Sequence, residues 1–343
     1  MNKQKFQKGK YLMSNHILVL GANQIKSALN AKESEITEIV KNTYLLHHLG
    51  KTSLPHSIFL RFPDNEKNRI IGLPAYIGGN ENIAGLKWIS SFPENIEHNI
   101  ERASAAIFLN EMSTGRVKAV LEGSIISSKR TAASAALAAR HLHANYDENT
   151  IGLVGCGRIN QEILLFVSNI FQNISKVYLY DLSDKRMEHF ISWHQNTKFT
   201  FEKCQNIEQL FTKTKLVSFA TTAGVPFLEK IDAITPEHTV LGISLRDLAP
   251  SIIEKSYNIV DDFEHVCRER TSIHLTYQKL NRRDFVAGSI ADVLNKKIAA
   301  RENDKPVIFS PFGLGVLDLS LANYIYQSAI QNHSGTVVEN FLP

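Results

Sequence analysis

Cysteine is scarce in this sequence. The three cysteines, Cys156, Cys204 and Cys267, lie far apart and form neither a CxxC pair nor a Cys/His spacing that would bind zinc. The histidines are equally scattered, without an HExxH motif. We therefore expect free thiols, a reducing cytoplasmic environment and no metal site.

Long apolar runs and blocks of like charge are missing as well. No run approaches the roughly 18 apolar residues of a membrane helix, so we expect no membrane partner. The 38 Lys and Arg residues nearly balance the 34 Asp and Glu residues, which leaves a net charge of +4. Because nucleic-acid-binding proteins usually carry clustered basic residues, this balance argues against a nucleic-acid partner.

The first residues, MNKQKFQKGK, are basic, but no apolar core follows them as it would in a signal peptide. We expect an unstructured tail of about 12 residues, with Met13 as an alternative start. Hydrophobic residues make up 43% of the sequence, so the chain can bury a sizeable core. Its length of 343 residues predicts about two domains.

The first third of the chain predicts an α+β layer. Short β-like runs are separated by polar turns and accompany one amphipathic helical stretch, 33–49. The β-like runs are IFLRF, RIIGLPAYIGG, AGLKWIS, SAAIFLN and VKAVLEG. The segment 128–143, SKRTAASAALAARHLH, is rich in alanine and lacks glycine and proline, which predicts a long helix.

After this helix, strand-like and helix-like segments alternate. Alternation of this kind is typical of βαβ units that build a parallel sheet. We predict strands at 151–155, 176–181, 215–221, 238–246, 258–262 and 306–310, and helices at 159–171, 184–195 and 316–331.

The stretch IGLVGCGRINQEILLF, residues 151–166, joins the first of these strands to a helix through a glycine turn. In the dinucleotide-binding pattern GxGxxG, the first glycine permits the tight turn and the second lets the backbone approach a pyrophosphate at the helix N-terminus. Gly155 and Gly157 fit these two positions. Asn160 stands in place of the third glycine, which sets how closely helix and strand pack.

Asp181 closes the second predicted strand of this region. An acid at this place can accept hydrogen bonds from a ribose 2′-hydroxyl and would repel a 2′-phosphate. The order of these features predicts a cofactor site, since strand, glycine turn, helix, strand and acid follow one another. NAD is favoured over NADP. Lys185 and Arg186 could hold a 2′-phosphate instead, and an ordinary βα turn with a surface aspartate is the alternative to a cofactor site.

Several stretches are similar to the ornithine cyclodeaminase/μ-crystallin family, and together they extend over nearly the whole chain. The pattern SxxRTAA followed by the glycine turn is specific to that family. The similar stretches are GLPAYIGG (72–79), GLKWIS (85–90), SIISSKRTAASAA (124–136), GLVGCGRI (152–159), LGISLRD (241–247) and SPFGLGVLDL (310–319).

The resemblance implies an α/β protein with two domains. One is a Rossmann-type NAD-binding domain, residues 130–316. The other is a discontinuous α+β domain, residues 1–129 with 317–343, which binds substrate and forms a homodimer.

One branch of the family is especially similar. KWI followed by NIERASAAIFLN (99–110) and IVDDFEHVCRE (259–269) resembles the dehydrogenases that cleave N-(2-amino-2-carboxyethyl)-L-glutamate. This likeness implies NAD-dependent oxidation at the CH–NH group of a small amino-acid substrate. The implied products are L-2,3-diaminopropionate, 2-oxoglutarate and NADH, for siderophore or peptide-antibiotic biosynthesis. Ornithine cyclodeaminases, ketimine reductases and crystallin-like proteins that bind NAD(P) and a small ligand without catalysis remain alternatives.

Oxidising a secondary amine and hydrolysing the resulting imine requires carboxylate-binding groups, a hydride acceptor and an acid/base group. The resemblance implies that Arg61 binds a carboxylate through its planar guanidinium, although a surface arginine fits the sequence equally well. Tyr76 is a candidate substrate contact, with a core or surface tyrosine as the alternative.

Two further cations are candidates for the substrate site. Arg130 lies near the predicted start of the alanine-rich helix, where a cation is unfavourable for the helix dipole. It therefore calls for a negative partner, either a substrate carboxylate or a structural salt bridge. Strand alternation places Lys87 opposite its apolar neighbours Leu86 and Trp88. The family pattern makes Lys87 a catalytic residue that binds a carboxylate or polarises the reacting nitrogen, and a solvent-facing lysine is the alternative.

Asp247 ends the predicted strand VLGISLRD. Ligands of open α/β sheets bind beyond the carboxyl ends of the strands. The matching aspartate of the family accepts a proton and orients the substrate amine or water, whereas a capping aspartate is the alternative. Its neighbour Arg246 departs from the small or apolar residue that is commoner in the family, and could pair with Asp247 or reach a substrate carboxylate.

The remaining candidates concern the cofactor. Gly313 and Gly315 permit close approach of nicotinamide or pyrophosphate, and Asp318 is expected to cap the last helix. The cofactor-binding residues that we expect are Arg130, Thr131, Gly155, Gly157, Arg158, Ile159, Asp181, Thr221, Thr222, Ser244 and Gly313.

Overall fold

The computed structural model describes residues 15–98 and 100–343, so the predicted tail and Met13 lie outside the described residues. The chain divides into two compact units. The first contains the described residues up to Arg130 together with Leu314–Pro343, and the second contains Thr131–Gly313.

The strands of the described residues follow one another along the chain as β1 (Ile17–Leu20), β2 (Thr52–Ser53), β3 (Ile58–Phe62), β4 (Asn65–Ile77), β5 (Ile83–Ser91), β6 (Ala103–Asn110), β7 (Val117–Glu122), β8 (Thr150–Val154), β9 (Lys176–Tyr180), β10 (Thr200–Lys203), β11 (Leu216–Phe219), β12 (Thr239–Gly242), β13 (Tyr257–Val260), β14 (Val286–Ser289), β15 (Val307–Ser310) and β16 (Thr336–Val338).

The helices are α1 (Ala22–Ala28), α2 (Glu33–His48), α3 (Ser124–Leu142), α4 (Arg158–Ile170), α5 (Asp184–Trp193), α6 (Ile207–Lys213), α7 (Pro250–Ile253), α8 (Phe263–Val266), α9 (Ser272–Leu280), α10 (Ile290–Leu294) and α11 (Gly315–Gln331), and a short 3-10 helix spans Pro93–His98. Among the described residues, no helix is both long and apolar enough to cross a membrane.

The first unit is built on one mixed sheet with the strand order β16-β1-β7-β6-β5-β4-β2, and β3 pairs with β4. Helix α11 packs against β4, β5 and α2. Its sequence, GVLDLSLANYIYQSAIQ, is apolar on nearly every side, which is typical of a helix surrounded by protein. Alternation along β5 buries Lys87 and leaves Trp88 exposed on the other face.

The second unit is an α/β layer around eight parallel strands in the order β10-β9-β8-β11-β12-β15-β13-β14. The chain proceeds outward from β8 to β10 and then returns to place β11 on the other side of β8. This reversal is the switch point of a Rossmann-type sheet, where ligands bind beyond the carboxyl ends of the strands. The predicted fold class is confirmed.

Several predicted element boundaries differ from the structure, and two of these differences matter for the site. The strand predicted at 238–246 ends at Gly242, because the backbone N–H groups of Ile243 and Ser244 donate to the carbonyl of Phe219. The helix predicted at 128–143 begins earlier, at Ser124. The carboxylate of Glu122 accepts hydrogen bonds from the backbone N–H groups of Ser124 and Ile125 and so satisfies the first turn.

Candidate active site

The glycine turn connects β8 to α4 at the switch point of the parallel sheet. Gly155 has a φ of +89°, and a Cβ at this position would lie 2.7 Å from the carbonyl oxygen of Ala220, which follows β11. Only glycine fits there. Gly157 is the N-cap of α4, and a Cβ built on it would meet no atom within 4 Å. Open space beside Gly157 and an N-terminus without a side-chain cap suit a bound pyrophosphate.

Asn160, which replaces the third glycine, is fully buried, and both polar atoms of its side-chain amide form hydrogen bonds. Its Nδ2 donates to the carbonyl oxygens of Val154 at 3.0 Å and Gly155 at 2.7 Å. Its Oδ1 accepts a hydrogen bond from the Ser218 hydroxyl at 2.8 Å. The side chain therefore joins α4 to the ends of β8 and β11, and substitutes polar bonds for the close packing that a glycine allows.

Asp181 lies at the end of β9, beside the same turn. Its two carboxylate oxygens accept hydrogen bonds from the backbone N–H groups of Cys156 at 2.8 Å and Ser183 at 3.0 Å. Asp181 also lines a cavity together with Tyr180, Leu182 and Gln205. The carboxylate thus fixes the glycine turn and borders a space that suits the adenosine half of a dinucleotide.

Three predicted site residues meet beyond the carboxyl ends of β11 and β12. The Thr221 hydroxyl donates to Oδ1 of Asp247 at 2.5 Å, and the Ser244 hydroxyl donates to Oδ2. Asp247 is 2% exposed. Burial raises the pKa of Asp247, while the hydrogen bonds from Ser244 and Thr221 and the charge of Arg246 oppose this rise. The result is a fixed carboxylate with increased basicity, as a proton acceptor requires.

Arg246, beside Asp247, contacts two neighbouring loops. Its guanidinium donates to the backbone carbonyl of Glu269 at 2.7 Å and to that of Gly224 at 3.4 Å. Glu269 and Arg270 are consecutive non-glycine residues with φ values of 52° and 56°. Arg246 therefore helps to hold a left-handed backbone segment, a structural role that the sequence did not predict.

Gly313 lies in the loop after β15 and has a φ of +93°. Its backbone N–H donates to Oδ2 of Asp261 at 2.7 Å, and the N–H of Phe312 donates to Oδ1 at 3.0 Å. Asp261, which directly follows β13, is buried, and this burial raises its pKa against the effect of the backbone donors. It fixes the conformation of the glycine loop, a role that no sequence pattern indicated.

A buried ion cluster lies within the first unit. Nζ of Lys87 in β5 is 2.6 Å from Oδ2 of Asp318 in α11, and Nε of Arg130 in α3 is 2.9 Å from Oδ1 of the same carboxylate. Lys87 also donates to the Ser127 hydroxyl at 3.3 Å. Asp318 has no exposed surface. Two cations and one anion leave this buried cluster with an excess positive charge.

The electrostatics of the cluster follow from its burial. Burial lowers the pKa of Lys87 to about 8, an effect that Asp318 opposes and Arg130 reinforces. Burial alone would raise the pKa of Asp318, but the neighbouring charges of Arg130 and Lys87 hold it below its usual value. Asp318 is therefore ionised at neutral pH, and Lys87 is poised to lose its proton in mildly alkaline solution.

Two expectations about this cluster are wrong. Asp318 does not cap α11, whose N-cap is Leu314 without a side-chain hydrogen bond. Arg130 is not near a helix start, because α3 begins at Ser124 and the dipole effect is confined to the first turn. The salt bridge of Arg130 to Asp318 uses Nε, and its terminal nitrogens make no hydrogen bond to any described residue.

Other predicted substrate residues lie apart from this cluster. The strand register pairs Arg61 with Arg69, on the sheet face that also carries Lys87 but two strands away from β5. Arg61 is exposed, with its guanidinium carbon 5.4 Å from the centre of the Phe59 ring. The register places Tyr76 on the opposite face from Lys87, and its hydroxyl donates to Asn82 at 3.1 Å.

The remaining predicted cofactor residues lie in the second unit. Arg158 and Ile159 form the first turn of α4, and Arg158 pairs with Glu162 at 3.2 Å. Thr222 is exposed in the loop after β11, and Thr131 follows Arg130 in α3. Gly315, in contrast, starts α11 in the first unit, where a Cβ would lie 3.4 Å from Cβ of Leu73. It serves the packing of α11 on β4.

Comparison with known proteins identifies the family. The model of the ornithine cyclodeaminase/mu-crystallin family matches residues 16–333. The chain belongs to this family. Among curated relatives, N-((2S)-2-amino-2-carboxyethyl)-L-glutamate dehydrogenase of Staphylococcus aureus (strain NCTC 8325 / PS 47) is 29% identical over 335 residues, which cover 95% of this chain and 99% of the relative.

Solved structures of family members share the fold. Δ(1)-pyrroline-2-carboxylate reductase of Thermococcus litoralis, in complex with NADH and L-proline, has a TM-score of 0.86 at 23% identity, covering 93% of this chain and 99% of that chain. An archaeal alanine dehydrogenase dimer with bound NAD has a TM-score of 0.82 at 24% identity, covering 94% and 99%.

The family motifs led to most of these residues, but Asp318, Ser127 and Asp261 were missed as site or loop-fixing residues. A usable signal exists for Asp318, because an aspartate inside the apolar run GVLDLSLA is nearly always paired when it is buried.

Within the part of the chain that the structure describes, no group of three or more His, Cys, Asp and Glu side chains is arranged to hold a metal ion.

Proposed function

We propose that this protein is an NAD-dependent dehydrogenase that oxidises the CH–NH group of a small N-substituted amino acid. Its proposed substrate is N-((2S)-2-amino-2-carboxyethyl)-L-glutamate, which the S. aureus relative is named for. The products are L-2,3-diaminopropionate and 2-oxoglutarate. The observation that carries this proposal is the buried Lys87–Asp318–Arg130 cluster, whose excess positive charge suits an anionic substrate.

Carboxylate binding is the proposed task of the first unit. The terminal nitrogens of Arg130 are not used by any described residue, and a guanidinium edge fits a carboxylate with two parallel hydrogen bonds. Lys87 adds a second positive charge beside it. We propose Arg61 as a further carboxylate-binding residue because it lies on the same sheet face as Lys87. Tyr76, on the other face, is not part of this set.

NAD fits the second unit. The open space at Gly157 and the uncapped N-terminus of α4 suit the pyrophosphate, while Asp181 borders a cavity for the adenosine half and repels a 2′-phosphate. NAD bound there would accept a hydride from the substrate carbon. The two family structures named above contain NADH or NAD, which supports the same cofactor here.

Asp247 is the proposed acid/base group. The amine nitrogen loses its proton as the adjacent carbon is oxidised, and a carbon–nitrogen double bond forms. Water then adds to that carbon, and the carbon–nitrogen bond breaks to release a ketone and a primary amine. A buried carboxylate with raised pKa, held by Thr221 and Ser244, can accept a proton from the attacking water.

We also propose a homodimer formed through the first unit. Ile58 in β3 and Trp88 in β5 share one face of the sheet through Gly72 of β4, and they are 65% and 41% exposed. Leu60, on the same face, is 45% exposed. Large exposed hydrophobic side chains grouped on one face are typical of protein interfaces. One solved family member is a dimer.

The test is a direct assay of the purified protein with N-((2S)-2-amino-2-carboxyethyl)-L-glutamate and NAD. NADH should appear together with 2-oxoglutarate and L-2,3-diaminopropionate in equal amounts. The matched inactive variant is Asp247→Asn, which keeps the shape of the side chain but cannot accept a proton. Absence of NADH with this substrate and with related N-substituted glutamates would overturn the proposal.

Two other outcomes would point to different members of the family. Proline formed from ornithine would indicate a cyclodeaminase, and consumption of NADH or NADPH with a cyclic imine would indicate a ketimine reductase. If the wild-type protein turns over no substrate, and the Asp247→Asn variant binds cofactor and ligand as well as the wild type does, the protein is a non-catalytic binder.

A further inference from the structure

Asp318 has an unusual position among the residues of the first unit. It is the fourth residue of α11, in a stretch where every neighbour from Gly315 to Ala322 is buried. Its carboxylate contacts Lys87 from β5 and Arg130 from α3, so one side chain joins three elements that are far apart in sequence. Asp318 itself has no exposed surface, and it therefore cannot be reached by a substrate.

The charges of the cluster do not balance. A buried ion pair needs one cation for one anion, and each additional buried charge without a partner is costly. Here one carboxylate is shared between a lysine and an arginine that are 4% and 8% exposed. If the cluster only stabilised the fold, a single ion pair or apolar side chains of similar volume would be sufficient. The surplus cation is explained if an anionic ligand completes the cluster.

We propose that Asp318 is a positioning residue, which holds Lys87 and Arg130 side by side as a preformed binding site for one carboxylate of the substrate. This role rests on the function proposed above. Nε of Arg130 is directed to Asp318, so the opposite edge of the guanidinium is left for the ligand. Lys87 is held by Asp318 at 2.6 Å and by the Ser127 hydroxyl at 3.3 Å.

Holding Lys87 and Arg130 in place before the substrate binds favours binding for a physical reason. A lysine has a long, flexible side chain that loses rotamer entropy when it is fixed, and fixing it before the ligand arrives removes this cost from binding. Asp318 also offsets the repulsion between the two cations. The charged groups that face Lys87 are Asp318 from α11 and Arg130 from α3, and its cross-strand neighbours Leu73 and Ile107 are apolar.

The experiment compares Asp318→Asn with the wild-type protein in steady-state kinetics and in ligand binding. Without the carboxylate, both cations lose their anchor, and the KM for the amino-acid substrate should rise about tenfold or more. The alkaline fall of kcat/KM should move to lower pH by about one unit, because Lys87 loses an opposite charge. Calorimetric binding of 2-oxoglutarate to the NADH-bound protein should weaken in parallel.

The control variant is Ser320→Ala on the same helix. Its hydroxyl donates to Glu81 at 2.8 Å, away from the cluster, so the alkaline limb should stay where it is in the wild type. A merely structural role of Asp318 would lower the melting temperature of Asp318→Asn and leave both the alkaline limb and the KM unmoved. That result would overturn the proposal.

If the Asp318→Asn variant does not fold, the Asp318→Glu variant provides a second test of the same role. Glutamate keeps the charge and moves it by one methylene group, so we expect an unmoved alkaline limb with a raised KM. Wild-type values of both quantities would overturn the proposal. Wild-type protein without any NADH formation would instead overturn the proposed function, whereas active wild-type protein with an unaltered Asp318→Asn variant would overturn only the role of Asp318.

Discussion

The Ser218 hydroxyl donates a hydrogen bond to the side-chain oxygen of Asn160 at 2.8 Å, and this contact explains a departure from the dinucleotide-binding pattern. Where the pattern has a glycine, this chain has an amide that also donates to the carbonyls of Val154 and Gly155. The glycine turn is therefore fixed by three buried hydrogen bonds instead of close contact between helix and strand.

Asn160→Gly restores the glycine of the common pattern and should nevertheless harm the protein. It leaves the Ser218 hydroxyl and the Gly155 carbonyl without the Asn160 side chain as their partner, whereas the Val154 carbonyl still accepts from the backbone N–H of Ala220. This loss should cost about 2 kcal/mol or more in the free energy of unfolding. The affinity for NAD should fall as well. Denaturant unfolding and cofactor titration measure both effects, with Asn169→Ala, exposed at the far end of α4, as the control. An Asn160→Gly protein as stable as the wild type would contradict this explanation.

The pH dependence of kcat/KM should have two limbs. Lys87 binds a carboxylate only while it is protonated, and its pKa is lowered to about 8, so kcat/KM should fall as the pH rises above that value. Asp247 must be ionised to accept a proton, so kcat/KM should also fall in acid, with a midpoint above the ordinary aspartate value of 3.8. A profile that is flat between pH 8 and 10 would contradict the role of Lys87.

Removing a hydroxyl donor should move only the acidic limb. Thr221→Val deletes the hydrogen bond to Oδ1 of Asp247, which stabilises the ionised form. The pKa of Asp247 should therefore rise, and the acidic limb of kcat/KM should move to higher pH by up to about one unit. Ser244→Ala should act in the same direction. Thr212→Ala, an exposed threonine of α6, serves as the control. A shift toward lower pH would contradict the assignment.

Asp181→Asn should change the preference between cofactors. The amide keeps the size of the side chain but does not repel a 2′-phosphate, and it is a weaker acceptor for ribose hydroxyls. We expect a KM for NAD raised about tenfold, together with a smaller difference between NAD and NADP. Asp147→Asn, an exposed aspartate of the same unit, should leave both cofactors unaffected. Unchanged discrimination against NADP would exclude Asp181 from its proposed task.

Trp88→Glu should convert the proposed dimer to monomers. A carboxylate in the centre of an apolar interface loses hydration without a partner, at a cost of several kcal/mol. Trp193→Glu, at a tryptophan of similar exposure in the second unit, is the matched control and should remain dimeric. Light scattering after size-exclusion chromatography measures the mass of each variant. A wild-type monomer, or a dimeric Trp88→Glu variant, would contradict the interface.

Local sequence patterns predicted the first part of the second unit and its central strands, but not β10, β14 or the helices from α6 to α10. The strands and helices from β8 to α5 lie within a few residues of the predicted ranges, because alternation of apolar residues, glycine turns and alanine content act within windows of about ten residues. The order of these elements was enough to predict a parallel sheet, and the ligand site at its glycine turn stays a prediction. Family motifs added Lys87, Arg130 and Asp247.

Only the tertiary structure decided which of these residues lie in contact with one another. Asp318, expected to cap a helix, is 231 residues from Lys87 in sequence and 2.6 Å from it in space. Strand register, which depends on long-range pairing, separated Tyr76 from Lys87. A charged side chain that is expected to be buried needs a partner of opposite charge, but the sequence does not identify that partner. The packing of α11 on β5 creates the pairing, and no local preference does so.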